Sequence, residues 1–262
     1  MKRIALKIIF IFNIFGFNLI KFFFSLRGLS FYFRDYLNLK RQMKVSNEFR
    51  FGRFFPILNE KYEDSGVMKG HYFHQDLLIA RKIYENNPKR HIDIGSRIDG
   101  FVAHVATYRE IEIFDIRPLE NRVKNITFRQ ADLMQLPKDL IECCDSISSL
   151  HAIEHFGLGR YNDPIDINGH IKAINNVHKI LKQGGRFYFS VPIGPLRIEF
   201  NAHRVFSLEY LFKLFEGSFR VDSFSYVSDS GDLFENVELK EESIKSNFGS
   251  HYGCGIFELI KD

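Results

Sequence analysis

His91-Ile92-Asp93-Ile94-Gly95-Ser96-Arg97-Ile98-Asp99-Gly100-Phe101 is the stretch whose reading decides the fold. Its first four residues suit a short buried strand, and Gly95 follows at once as a turn. A helix is expected next, from Val102 to Thr107, with its free N–H groups aimed back at that turn. Strand, glycine turn and helix together make a nucleotide-type cradle. Two glycines in an α/β loop are a weak signal alone, so the rest of the chain has to supply partners at suitable distances.

It supplies two. Glu110 to Ile116 reads as a second strand and ends in Asp115, twenty residues after Gly95. An acid at that interval is where a ribose diol is gripped, because a carboxylate accepts both hydroxyl protons. Ile126 to Gln130 reads as a third strand and runs into Asp132 and Leu133. There a carboxylate can accept the exocyclic amine of an adenine while the apolar neighbour packs on the ring. The cofactor contacts expected on this basis are Asp93, Gly95, Ser96, Arg97, Asp115, Ile116, Asp132 and Leu133.

Strand and helix alternate through the remainder. A fourth strand, Asp145 to Leu150, leads into His151-Ala152-Ile153-Glu154-His155, and a helix covers His170 to Leu181. Gly184 is expected to cap that helix. A strand from Arg186 to Val191, a helix from Leu208 to Phe215 and strands Phe219 to Val227 and Gly255 to Ile260 close the chain. The expected body is an α/β, Rossmann-like doubly wound sheet of about seven strands, mostly parallel with an antiparallel last strand, over residues 71–262.

Residues 1–45 form a basic, apolar helical extension, and residues 46–70, broken by Gly52, Pro56 and Gly66, connect it to the body. Residues 1–53 hold eleven Lys or Arg against Asp35 and Glu48, a net of +9, so the rest of this +4 chain is acidic. A nucleic-acid partner is therefore not expected on the body. From Ile8 to Ile20 no charge interrupts the run, short of a comfortable span. At helical pitch Arg3, Lys7, Asn18 and Lys21 fall on one stripe, which favours a helix lying on an anionic membrane surface over a true span. Packing on the protein's own surface is the alternative. No cleavage site follows, so the chain is expected to be cytoplasmic, peripheral on or anchored to the cytoplasmic membrane. Cys143, Cys144 and Cys254 have no ligand spacing and read as free thiols.

The pattern of Asp93-Ile94-Gly95-Ser96, Asp115, Asp132, Glu154-His155 and Leu181-Lys182-Gln183-Gly184-Gly185-Arg186-Phe187 resembles a class I S-adenosylmethionine-dependent methyltransferase. A closer resemblance, over residues 67–262, is to the methyltransferase-like domain of unknown function two-six-eight. It rests on Tyr72-Phe73-His74-Gln75-Asp76, Asp93-Ile94-Gly95-Ser96-Arg97, Ser190-Val191-Pro192-Ile193-Gly194 and Phe200-Asn201-Ala202-His203-Arg204. The resemblance implies methyl transfer from S-adenosylmethionine; the expected small-molecule acceptor is oxygen on a sugar, glycan or lipid-linked intermediate, the last because the N-terminal segment is expected near a membrane. Arg97 stands where the family pattern has a glycine, which would crowd the methionine moiety or pair with its carboxylate.

His155, Glu154 and His151 are the expected catalytic residues, with an imidazole as base. His203, Arg204, Tyr72 and His74 are the expected acceptor contacts, and the segment holding Tyr72, His74 and Asp76 is expected just before the first helix of the body, as a lid. His151-Ala152-Ile153-Glu154-His155 also fits the inverted zinc-protease pattern, but that pattern needs a helix and a third ligand, so no metal is expected. A catalytically degenerate scaffold and a nicotinamide-dependent oxidoreductase remain as alternatives.

Overall fold

The structure is a computed structural model that describes residues 2–44, 48–120, 122–136 and 138–262. The chain divides into two compact units, residues 1–67 and 68–262.

In the first unit the apolar run is interrupted. Helix α1 (Lys2–Ile14) ends before Gly16, which adopts φ +78°, and helix α2 (Leu19–Gln42) restarts on Asn18. The Asn18 side chain caps α2 by accepting the Lys21 N–H at 2.8 Å. The two helices are bent by 90°, so Lys7 does not continue one stripe with Asn18 and Lys21 as a continuous helix would have it, and the Arg3 side chain lies outside the described ones. Among the described residues no single helix is long and apolar enough to cross a membrane; the bent pair passes only together. The segment expected to be a connector instead lies along α2. Leu58 leaves no room for a side chain at Gly28, Phe51 lies 4.9 Å from Tyr36, and Lys61 pairs with Asp35.

The second unit opens with α3 (His71–Asn86). It continues through β1 (His91–Ile94), α4 (Ala103–Ala106), β2 (Ile111–Asp115), β3 (Ile126–Gln130) and β4 (Cys144–Leu150). Next come α5 (Gly169–Ile180), β5 (Leu181–Ile193), β6 (Arg197–Glu199), β7 (His203–Val205) and α6 (Leu208–Phe215). The chain closes with β8 (Phe219–Val227), β9 (Leu233–Phe234), α7 (Glu241–Lys245) and β10 (Gly253–Lys261). Between Gly95 and α4 the backbone makes a wide π-type turn, Ile98–Val102, in place of a regular helix start. Gly184 is not a helix cap: α5 has already ended at Ile180, and Gly184 (φ +72°) lies near the start of β5, where the pairing with β4 is irregular.

The main sheet has eight strands in the order β3-β2-β1-β4-β5-β10-β8-β9. Strands β3, β2, β1, β4 and β5 are parallel, whereas β10 runs antiparallel to both β5 and β8. β6 and β7 form a separate hairpin. Both faces of the sheet are covered, as parallel strands require. Along β5, Phe187, Phe189 and Val191 join the face covered by α5 and α6, while Tyr188 faces α3. Phe189, Phe215, Phe224 and Phe257 interlock there, with Phe224 and Phe257 centroids 4.7 Å apart. The chain reverses direction across the sheet between β1 and β4, and that switch point opens a crevice at the carboxyl ends of the strands.

Candidate functional site

Gly95 begins the crevice with φ +68°, a conformation that suits glycine, and a Cβ there would come within 3.1 Å of Ala152. Asp93 holds this turn from beneath. Its carboxylate accepts the Ser96 N–H at 3.0 Å, the Ser96 hydroxyl at 2.6 Å and the Ser148 hydroxyl at 2.5 Å. Ser96 Oγ in turn accepts the Leu150 N–H at 3.0 Å. Asp93 is fully buried, and burial pushes its carboxyl up to about 6 against those hydrogen bonds. The expectation that Asp93 contacts a ligand is therefore corrected: it shapes the turn and does not line the crevice.

The crevice is half-open to solvent and lies between the turns after β1, β2, β3 and β4. Gly95, Asp115, Ile116, Asp132, Leu133 and the histidines of the 151–155 stretch all line it. Asp132 Oδ1 accepts the Met134 N–H at 2.9 Å, which holds the carboxylate at the turn after β3. Asp115 is clamped by Arg117, whose guanidinium reaches its two oxygens at 3.0 and 2.6 Å and lies 4.4 Å over the Tyr161 ring. A second trough adjoins the crevice, sharing Gly95, Asp115, His151 and His155 and adding Tyr72, Ser96 and Arg97. Arg97 is drawn outward, paired with Asp99 at 3.1 Å and set over Tyr72 at 5.0 Å. The cation that crowds the crevice is Arg117, not Arg97.

The other wall is built of histidines. His151 closes β4 in the left-handed region (φ +51°), a costly conformation for this residue. Its Nδ1–H donates to Glu154 Oε1 at 2.7 Å. Burial opposes charge on His151, but the Cys254 sulfur and the Glu154 carboxylate outweigh it and raise its pKa well above 6.5. His155 is set the other way. Its Nδ1–H donates to the Ala202 carbonyl at 2.6 Å, leaving Nε2 with a lone pair, 3.7 Å from Glu154 Oε1. Burial lowers the His155 pKa despite Glu154, so this ring is neutral near pH 7. Glu154 lies behind both rings, fully buried, and orients them.

The expected acceptor contacts divide. Tyr72 reaches the site, its ring 5.1 Å from that of His151. His203 approaches the cluster, its ring 6.4 Å from that of His155. His74 does not reach it; its ring packs on Phe73. Arg204 is also removed from the site: it is buried, and its guanidinium donates to the Phe156 and Ile167 carbonyls at 2.6 and 3.2 Å. Tyr72, His74 and Asp76 belong to the first two turns of α3, not to a lid ahead of it. The inverted zinc-protease arrangement is not formed, because 151–155 spans a strand end and a single 3₁₀ turn with Glu154 between the rings. Sequence reasoning missed Arg117, Tyr161, His71 and Cys254. Arg117, two residues past a strand-terminal acid and able to turn back onto it, was the one with a local signal.

Residues 102–251 match the profile of the family described as "Caenorhabditis protein of unknown function, DUF268". The chain belongs to this family. The match takes in Asp115, Asp132 and the His151–His155 stretch of this DUF268 chain, while the Gly95 turn lies just before it. No curated protein matches it in sequence.

Among solved structures it is similar to the Burkholderia thailandensis 1,6-didemethyltoxoflavin-N1-methyltransferase with bound 1,6-didemethyltoxoflavin and S-adenosylhomocysteine. That likeness has a TM-score of 0.51 and 13% identity, covering 71% of this chain and 78% of that one. The N-methyltransferase NodS from Bradyrhizobium japonicum WM9 gives 0.50 at 12% identity, covering 74% and 99%. A sarcosine dimethylglycine methyltransferase homologue from Galdieria sulphuraria gives 0.50 at 13%, covering 71% and 85%. The DUF268 chain thus has the Rossmann-like fold of class I S-adenosylmethionine-dependent methyltransferases.

Proposed function

We propose that residues 68–262 transfer a methyl group from S-adenosylmethionine to oxygen on a sugar, glycan or lipid-linked intermediate. The observation that carries this reading is the placement of Gly95, Asp115 and Asp132 around one crevice at the sheet's switch point. A structural neighbour with bound S-adenosylhomocysteine supports the choice of cofactor.

The residues present fit such a group. Gly95 lets the backbone approach it closely, Asp115 suits the ribose hydroxyls once Arg117 yields, and Asp132 suits the adenine amine between Ile116 and Leu133. When bound, S-adenosylmethionine supplies an electrophilic methyl group on a sulfonium. The chain's part is to align the acceptor, exclude water and take the hydroxyl proton. His155 Nε2 suits that last task, because its ring is neutral and its other nitrogen is fixed on Ala202.

A lipid-linked acceptor is favoured by residues 1–53, which carry +9 and expose Phe10, Phe15 and Phe23. The same features support a peripheral position on an anionic membrane surface. Incubating the full chain with methyl-labelled S-adenosylmethionine and anionic glycolipid vesicles tests both points. Label is expected in the lipid fraction with wild type and strongly reduced with His155→Asn. Equal labelling by Asp115→Ala, or none by wild type at any acceptor, would overturn the reading. A catalytically silent binding module is the second reading, and the hold of Arg117 on Asp115 favours it.

A further inference from the structure

Behind the histidine wall, three side chains from distant parts of the chain converge. His71 comes from the first turn of α3, His151 from the end of β4 and Cys254 from β10. One ligand atom from each lies within 4.8 Å of the others. The His71 and His151 rings are parallel to within 5°, with centroids 5.2 Å apart.

The surroundings suit a cation. His151 Nε2 is buried and has no hydrogen-bond partner among the described residues. Its opposite nitrogen is engaged by Glu154 Oε1 at 2.7 Å, so Nε2 is the nitrogen left for an ion, which would take the place of any proton there. A carboxylate behind the histidine is the usual outer partner of a metal-bound imidazole. Cys254 is fully buried, and apart from the two imidazoles its polar contacts among the described residues are long, 3.7 Å to Gln75 Oε1 and 3.8 Å to the Gly255 carbonyl. A buried nitrogen without a partner normally costs free energy, and a cation on it removes that cost.

We propose that His71, His151 and Cys254 form a binding site for a divalent ion of the zinc class, adjoining the crevice at its His151 wall. Two imidazole nitrogens and one thiolate suit zinc or cobalt and exclude magnesium and calcium, which take oxygen ligands. One thiolate and the Glu154 carboxylate balance the ion's two positive charges, so the buried cluster becomes neutral. Tetrahedral zinc places its ligands roughly 3.3–3.6 Å apart, so no pair needs to close by more than about 1.5 Å. Three protein ligands leave a fourth position for water or an acceptor group. His155 takes no part, since its Nδ1 is held by Ala202. The site does not rest on the methyl-transfer reading, because no ligand atom in it is assigned to that reaction.

The test is titration of the purified, metal-stripped full chain with Zn²⁺ by calorimetry and with Co²⁺ by absorption spectroscopy. One ion per chain is expected, with a thiolate-to-cobalt charge-transfer band and visible tetrahedral bands. Cys254→Ser should abolish the charge-transfer band, and His71→Ala should weaken zinc binding by at least tenfold, whereas Cys143→Ala should change neither. His71 is only partly buried, so His71→Ala keeps the test decisive should Cys254→Ser fail to fold. No stoichiometric binding, or binding that persists in both variants, would overturn the site.

Discussion

The two walls of the crevice are built on opposite principles. On the side of β1, β2 and β3, all three acids have assigned partners: Asp93 takes three donors, Asp115 takes Arg117, and Asp132 takes the Met134 N–H. On the side of β4, His151 Nε2 and Glu154 Oε2 are buried without hydrogen-bond partners among the described residues. The first wall is a finished cradle that holds its shape without a ligand. The second has unmet polar groups concentrated next to a strained residue, His151, which is where strain and unpaired atoms gather when a site awaits a ligand.

The sharpest way to break this contrast is Asp93→Ala. It leaves three buried donors unsatisfied around the Gly95 turn, and about 3 kcal/mol or more of stability should be lost. Chemical denaturation would measure it, and a loss near zero would mean the first wall is not held as described. Next comes His155→Asn, which keeps a side chain of similar reach but no base. Turnover on a hydroxyl acceptor should fall about 100-fold with cofactor affinity nearly unchanged.

Acid stability separates the walls from the sheet beneath them. His91 is buried between the Ser146 and Ser148 hydroxyls, and burial, aided by the charge of Arg109, lowers its pKa to about 3. The unfolded chain therefore takes up a proton near pH 6.5 that the folded chain refuses. The stability this group contributes is complete above 6.5 and is lost as pH falls toward its folded value. His91→Gln should flatten the loss of melting temperature between pH 7 and pH 5, removing about 2 kcal/mol of that slope. His170, lowered to about 4 by burial, leaves a residual slope of the same sign. The smallest effect expected is for Arg117→Ala. Freeing Asp115 should tighten binding of S-adenosylhomocysteine several-fold, and weaker binding would instead make Arg117 a ligand contact.

Much of the cradle was legible because its signals are local. The β3, α6 and β8 bounds follow from runs of apolar and aromatic residues, and Asp115 stands at a telling distance from Gly95. The break at Gly16 was also written locally, with Asn18 ready to cap α2, but the hydrophobic pattern across it hid the bend. Asp93 was legible as a site residue but not as a support, since only the fold brings Ser148 onto it from 55 residues away. The histidine wall was the least legible. His71 and His151 are 80 residues apart and Cys254 a further 103, so no spacing motif announces them. The one local motif, His151 to His155, points away from this cluster, because a 3₁₀ turn after β4 puts Glu154 between the two rings.

Calorimetric titration of the full chain with S-adenosylhomocysteine, repeated with Asp115→Ala and Asp132→Ala, bears most directly on the cradle. Saturable binding of one molecule per chain, weakened at least tenfold by either substitution while melting temperature holds, is the predicted result. Absence of heat and of thermal shift at millimolar ligand, or affinity indifferent to both substitutions, would contradict it.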